Sequence, residues 1–158
     1  VTGWRIGYAY GPKEVIAAME NLQGHTTSNP CSISQYAAHC ALQNDDGNFI
    51  AGANAVLEER LQLASRIVNS MKEISCAPAE GAFDLFLNVE KKFGKAYRGR
   101  KVENVGMLCE LILSEAKVVV VSGDAFGDPT GVRLSYAIGT KQVEDSLLRM
   151  KQLCDAII

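Results

Sequence analysis

The sequence has little of what marks the specialised protein classes. Basic residues do not outnumber acidic ones, with 16 Lys and Arg against 18 Asp and Glu and a net charge of -2. No basic footprint for nucleic acid or an anionic membrane surface follows from that balance. No stretch of about eighteen apolar residues occurs, and no basic segment precedes a short apolar one, which leaves no spanning helix or secretory signal in the sequence. The five cysteines, Cys31, Cys40, Cys76, Cys109 and Cys154, are scattered, odd in number and without a CxxC pair, and suggest neither a disulfide framework nor a zinc site. The two histidines, His25 and His39, have no carboxylate or cysteine at ligand spacing and read as surface or core residues. Internal repeats and low-complexity tracts are also absent. The chain opens without Met and in mid-pattern, so a fragment or processed chain is expected, in a reducing, cytoplasmic setting.

What is present is an ordinary apolar fraction of 47% over 158 residues, enough to bury a real core. The opening segment Thr2-Gly3-Trp4-Arg5-Ile6-Gly7-Tyr8 mixes aromatic, aliphatic and glycine residues and predicts a strand. Gly11-Pro12 then starts a helix with Val15, Met19 and Leu22 on one face, closed near Gln23-Gly24 by a left-handed glycine. A hydroxyl-rich loop, His25 to Ser32, leads to a second helix opened by Cys31 or Ser32 and ending about Leu42. Leu57, Leu61, Ala64, Val68 and Met71 predict a long helix from about Ile50 to Ile74, with a domain junction along it.

The segment Cys76 to Gly81 reads as a turn, and Phe83, Leu85, Leu87 and Val89 alternate as a half-buried strand with Asp84 on the opposite face. Glu90 to Asn104 reads as a basic, polar loop, and Val105 to Ile112 as a helix. Val118 to Val121 and Val132 to Ala137 read as two strands joined through a glycine-rich turn, and Thr140 as the N-cap of a last helix bearing Val143, Leu147, Met150, Cys154 and Ile157. Strands interleaved with amphipathic helices call for a layered α/β arrangement, its second half a short sheet covered by helices on one side. The division expected is 1-50, an incomplete piece of a larger domain, and 51-158, a bridging helix with a small domain.

Two arginines are set in otherwise apolar strand patterns, Arg5 and Arg133. A guanidinium stays protonated and carries a planar fork of donors that matches a carboxylate or phosphate, so each is a candidate anion clamp. The alternative for each is a structural ion pair.

The segments Thr2 to Tyr8, Ser28 to Gln35, Glu80 to Phe86, Gly123 to Gly127 and Val132 to Ala137 resemble, in order, five motifs of the fold-type-I pyridoxal-phosphate aminotransferases, closest to the bacterial aspartate aminotransferases. The resemblance implies the C-terminal part of that α/β fold: the end of the large cofactor-binding domain, then the small domain. It implies that Arg5 binds the phosphate of pyridoxal 5'-phosphate, that Arg133 binds the substrate α-carboxylate, and that Ser28 and Asn29, both weaker candidates, lie near the interface of a homodimer and the neighbouring subunit's active site, with Asn29 assigned to substrate binding. The family's Schiff-base lysine falls about four residues before Val1, so no catalytic residue is assigned and the chain alone is expected to be inactive. The expected parent moves an amino group between an amino acid, aspartate among the candidates, and a 2-oxo acid. Asp84 stands where many relatives have an aromatic residue and Cys31 where many have threonine, which leaves side-chain preference open. A lyase or synthase with the same cofactor, and a non-catalytic α/β interaction domain, are the competing readings.

Overall fold

Leu85 and Leu87 alternate with Asp84, Phe86 and Asn88 along one strand, and the five-residue run from Gly131 to Ser135 alternates in the same way beside it. The structure that results is a computed structural model describing residues 3–158. It divides into two units, one reaching to Ala51 and one from Gly52 to Ile158.

In the first unit, residues 3–12 form no strand, which corrects the expectation for the opening segment; Val1 and Thr2 lie outside the described residues. The reason is backbone conformation: Gly3 and Arg5 have φ of 88° and 51°, and two left-handed residues flanking Trp4 bend the chain out of the extended region. Helix α1 (Lys13–Thr26) follows Pro12, and α2 (Ser32–Gln43) follows Cys31. Helix α1 runs through Gly24, which is not left-handed, so the expected closure at Gln23-Gly24 falls two residues short. Helix α3 (Asn48–Asn69) starts slightly before its expected boundary and stops five residues before Ile74.

In the second unit, β1 (Ser75–Cys76), β2 (Asp84–Asn88), β5 (Val121–Ser122) and β6 (Gly131–Ser135) form an antiparallel sheet in the order β1-β2-β6-β5. The strands β3 (Ala96–Tyr97) and β4 (Arg100–Lys101) make a separate hairpin where a loop was expected, its turn at Arg98 and Gly99 having φ of 49° and 80°. Of the expected strand Val118 to Val121 only Val121 joins the sheet, and Cys76 belongs to a strand rather than to a turn. Helix α4 (Val105–Leu111) is capped by Asn104, whose side chain accepts from the Met107 N–H at 2.9 Å, and continues as a π-helical turn to Ala116. Helix α5 (Thr140–Asp155) begins at Thr140 itself; the flanking residue is Gly139, whose N–H donates to Gln142 Oε1 at 3.2 Å.

Leu85, Leu87, Val132 and Leu134 face one continuous core with Ala64 and Val68 of α3, Val105, Leu108 and Leu111 of α4, and Val143, Leu147 and Met150 of α5. Burying a Leu or Val of this kind contributes about 1.5–3 kcal/mol before entropy is counted. Helices thus cover one sheet face, and Asp84, Phe86, Arg133 and Ser135 share the other. Phe83, expected on the buried face, precedes the strand and is exposed.

Candidate active site

Arg133 lies in the middle of β6, directly opposite Phe86 on β2 and Val121 on β5. Its Cζ stands 4.7 Å from the centroid of the Phe126 ring. Phe126 in turn meets Phe86 edge to face, with centroids 6.1 Å apart and planes at 84°. Among the described residues the basic partners in ion pairs are Lys92, Lys95, Arg98, Arg100 and Lys151, and Arg133 joins none of them. Its guanidinium therefore stands over one aromatic ring, and no carboxylate among the described residues pairs with it.

Two glycines make this packing possible. A Cβ on Gly131 would sit 2.1 Å from Cε1 of Phe86, so the Phe86 ring lies over β6 only because residue 131 has no side chain. A Cβ on Gly123 would come within 2.1 Å of the Asp128 carbonyl oxygen and 2.5 Å of the Gly131 carbonyl oxygen. The 3₁₀ turn Gly123–Phe126 can thus press directly on the start of β6. It is tied further by the Asp124 N–H donating to Ser122 Oγ at 3.3 Å and by the Asp128 N–H donating to the Gly123 carbonyl at 3.0 Å. Phe126 is the last residue of that fastened turn.

Asp84 shares the sheet face with Arg133, two register positions away and opposite Ser135. Just past the end of β6, Tyr136 is buried, and its hydroxyl donates to the Ala82 carbonyl at 3.0 Å. Burial foremost, then the carboxylates of Asp84 and Glu58, pushes the Tyr136 phenol up, so it keeps its proton at neutral pH.

Arg5 is exposed in the first unit, with its left-handed backbone, and is in no ion pair among the described residues. The residue before it is anchored: the buried Ser34 of α2 donates its hydroxyl to the Trp4 carbonyl at 3.1 Å. Asn29 and Ser28 lie exposed in the loop between α1 and α2, Ser28 with φ of 66°. At the end of that loop the Cys31 thiol is lowered from its ordinary value by hydrogen bonds from the Ser34 and Ile33 N–H groups. A mostly apolar cleft of about 1190 Å³ in the same unit is lined by Ile6, Tyr8, Leu42, Phe49 and Ile50 among others, and Arg5 does not line it. Arg5, Ser28 and Asn29 belong to one unit and Arg133 to the other.

The aromatic support of Arg133 is what sequence reasoning missed. Its signal was present in the Gly-Asp-Ala-Phe-Gly segment and in the alternation that places Phe86 on the face of Asp84, but nothing in the spacing brings residues 86, 126 and 133 together.

An antiparallel sheet backed by helices on one face, with an arginine unpaired among the described residues on the other, defines a small α/β domain. The chain belongs to the family described as aminotransferase class I and II, whose profile matches residues 1–150. It is 43% identical to a probable aspartate/prephenate aminotransferase of Rickettsia bellii over 99% of this chain and 39% of that protein. It is 39% identical to the aspartate aminotransferase of Streptomyces avermitilis over 97% of this chain and 37% of that protein. Among solved structures, the aspartate aminotransferase of Rhizobium meliloti superposes with a TM-score of 0.82 at 35% identity, covering 99% of this chain and 39% of that one. The chain thus spans well under half the length of the relatives it matches.

Proposed function

We propose that this chain supplies the anion-binding arginines of a pyridoxal-phosphate aminotransferase that moves an amino group between an amino acid, aspartate foremost, and a 2-oxo acid. The observation that carries the reading is Arg133, a guanidinium on the open sheet face with no carboxylate of its own among the described residues. Both substrates of such a reaction carry an α-carboxylate, and a bidentate fork fixes its plane as well as its position. In the amino acid, fixing that carboxylate aims the adjacent Cα–H bond for proton removal, and orientation of this kind lowers a barrier without any covalent step by the arginine. Support for aspartate comes from the names of the relatives at 43% and 39% identity.

Arg5 fits the cofactor's phosphate by the chemistry of its donors: it is always charged, exposed and in no ion pair among the described residues, and Ser34 anchors the backbone just before it. When bound, pyridoxal phosphate supplies an electron sink for the bonds at the substrate Cα. The covalent lysine is assigned to the part of the family fold outside this chain, so the 158 residues alone do not transaminate in this reading. The segment to Ala51 is read as the end of the large domain and the segment from Gly52 as the small domain. Asn29 is read as a residue at the neighbouring subunit's site in a homodimer.

The reading is tested in the full-length protein by Arg5→Gln. The expected outcome is a weaker hold on the cofactor, measured as loss of visible absorbance on dialysis, with Arg133→Gln retaining the cofactor. Equal retention by both variants would remove the phosphate role from Arg5.

A further inference from the structure

We propose that Phe126 is a positioning residue for Arg133: its ring presets the plane of the guanidinium, so that a carboxylate meets an ordered fork instead of a mobile one. The inference rests on the carboxylate reading of Arg133 and names what makes that side chain effective.

Three observations converge on it. First, Arg133 lacks the usual means of orientation, a carboxylate partner, among the described residues, while its Cζ stands 4.7 Å over the Phe126 ring. A cation at that distance from a ring centroid is held by the ring's quadrupole without losing its outward N–H donors. Second, Phe126 is itself fastened. Phe86 packs against it edge to face, and the turn carrying it is pressed onto β6 where Gly123 meets the carbonyl oxygens of Asp128 and Gly131. Third, the support is continuous with the strand that bears Arg133. Phe86 is the cross-strand neighbour of Arg133 and overlies Gly131, so the arginine, both rings and both glycines form one packed unit on the face opposite the core. A long side chain ordered before the ligand arrives loses less freedom on binding, and the saving appears as affinity.

This role has a signature that side-chain specificity does not share. The amino acid and the 2-oxo acid present the same carboxylate to Arg133, so a loss of preorganisation weakens both by the same factor. A residue touching the variable part of the substrate would weaken them unequally.

The experiment uses the full-length protein loaded with pyridoxal phosphate, and compares Phe126→Leu, Phe126→Met, Phe126→Trp and Arg133→Lys. Calorimetry gives Kd for maleate, a dicarboxylate that does not react, and steady-state kinetics give KM for aspartate and for its 2-oxo acid partner. Expected for Phe126→Leu and Phe126→Met is a rise of about fivefold in Kd and in both KM values, with kcat within about twofold and Phe126→Trp close to wild type. Met keeps the apolar volume and removes only the ring, so it answers the question if the Leu variant folds poorly. Unchanged Kd in the Met variant, with Arg133→Lys still weakening maleate, overturns the positioning role and leaves the clamp intact. Unchanged Kd in Arg133→Lys overturns the clamp itself, and the inference falls with it. Unequal changes in the two KM values would assign Phe126 to substrate selectivity instead.

Discussion

Glu73 stands between two lysines, bonded to Lys95 and to the buried Lys92, whose ammonium also donates to the Ile157 carbonyl at 3.4 Å. Lys95 first and Lys92 second hold the Glu73 carboxyl below its ordinary value. A carboxylate with a depressed folded pKa contributes stability that is present above its unfolded pKa and lost as pH falls through the folded one. Thermal melts from pH 7 downward are therefore expected to show an acid-side loss that begins as pH drops past 4.5, the ordinary value, and that flattens in Glu73→Gln. Glu73→Gln is also expected to lower the melting temperature at pH 7, since it leaves the Lys92 charge buried without its counter-ion. The cysteines divide by the same physics. Cys31 is exposed with a lowered thiol, whereas burial pushes Cys154 up to about 12. Timed alkylation at pH 8 followed by peptide mapping is expected to label Cys31 first and Cys154 last; early labelling of Cys154 would contradict the packing of α5.

At the scale of elements, the outer face of the sheet depends on two missing side chains. Gly123→Ala is expected to cost more than Gly131→Ala in a denaturant melt, because the first clash is with backbone oxygens and the second with an aromatic ring that can shift. The latter is expected near the overpacking range of about 1–3 kcal/mol, the former at or above its top. Asn104→Ala, which removes the cap of α4, is expected to cost about 1 kcal/mol.

These elements also show what was legible beforehand. The helices α1 to α5 and the strands β2 and β6 declare themselves by their period, because each has one face on a core or is long enough to display its repeat. Trp4-Arg5-Ile6 misleads because apolar alternation carries no record of the positive φ at Gly3 and Arg5. The hairpin at Ala96–Lys101 hides because two-residue strands have no period to read. Arg133 stands out in the sequence as a charge in an apolar strand; its aromatic support does not, since it joins residues 86, 126 and 133 through tertiary packing alone.

The described residues form two units that differ in how much they bury. From Gly52 onward a single cluster of buried side chains links three helices and the four-stranded sheet. Up to Ala51, Ser34 is the one buried residue among those described, and Val15, Met19, Leu22, Ile33 and Tyr36 are exposed. Hydrogen exchange on the 158-residue chain is therefore expected to protect the amides of Leu85, Leu87, Val132 and Leu134 most and those of α1 and α2 least. The proposed carboxylate clamp lies in the second unit, at Arg133. Its most direct test is kcat/KM of the full-length protein for aspartate and for its 2-oxo acid partner after Arg133→Lys, with cofactor content checked by absorbance. A fall of about 10- to 100-fold for both substrates, with the cofactor retained, is the predicted result. An unchanged kcat/KM for either substrate would contradict the claim.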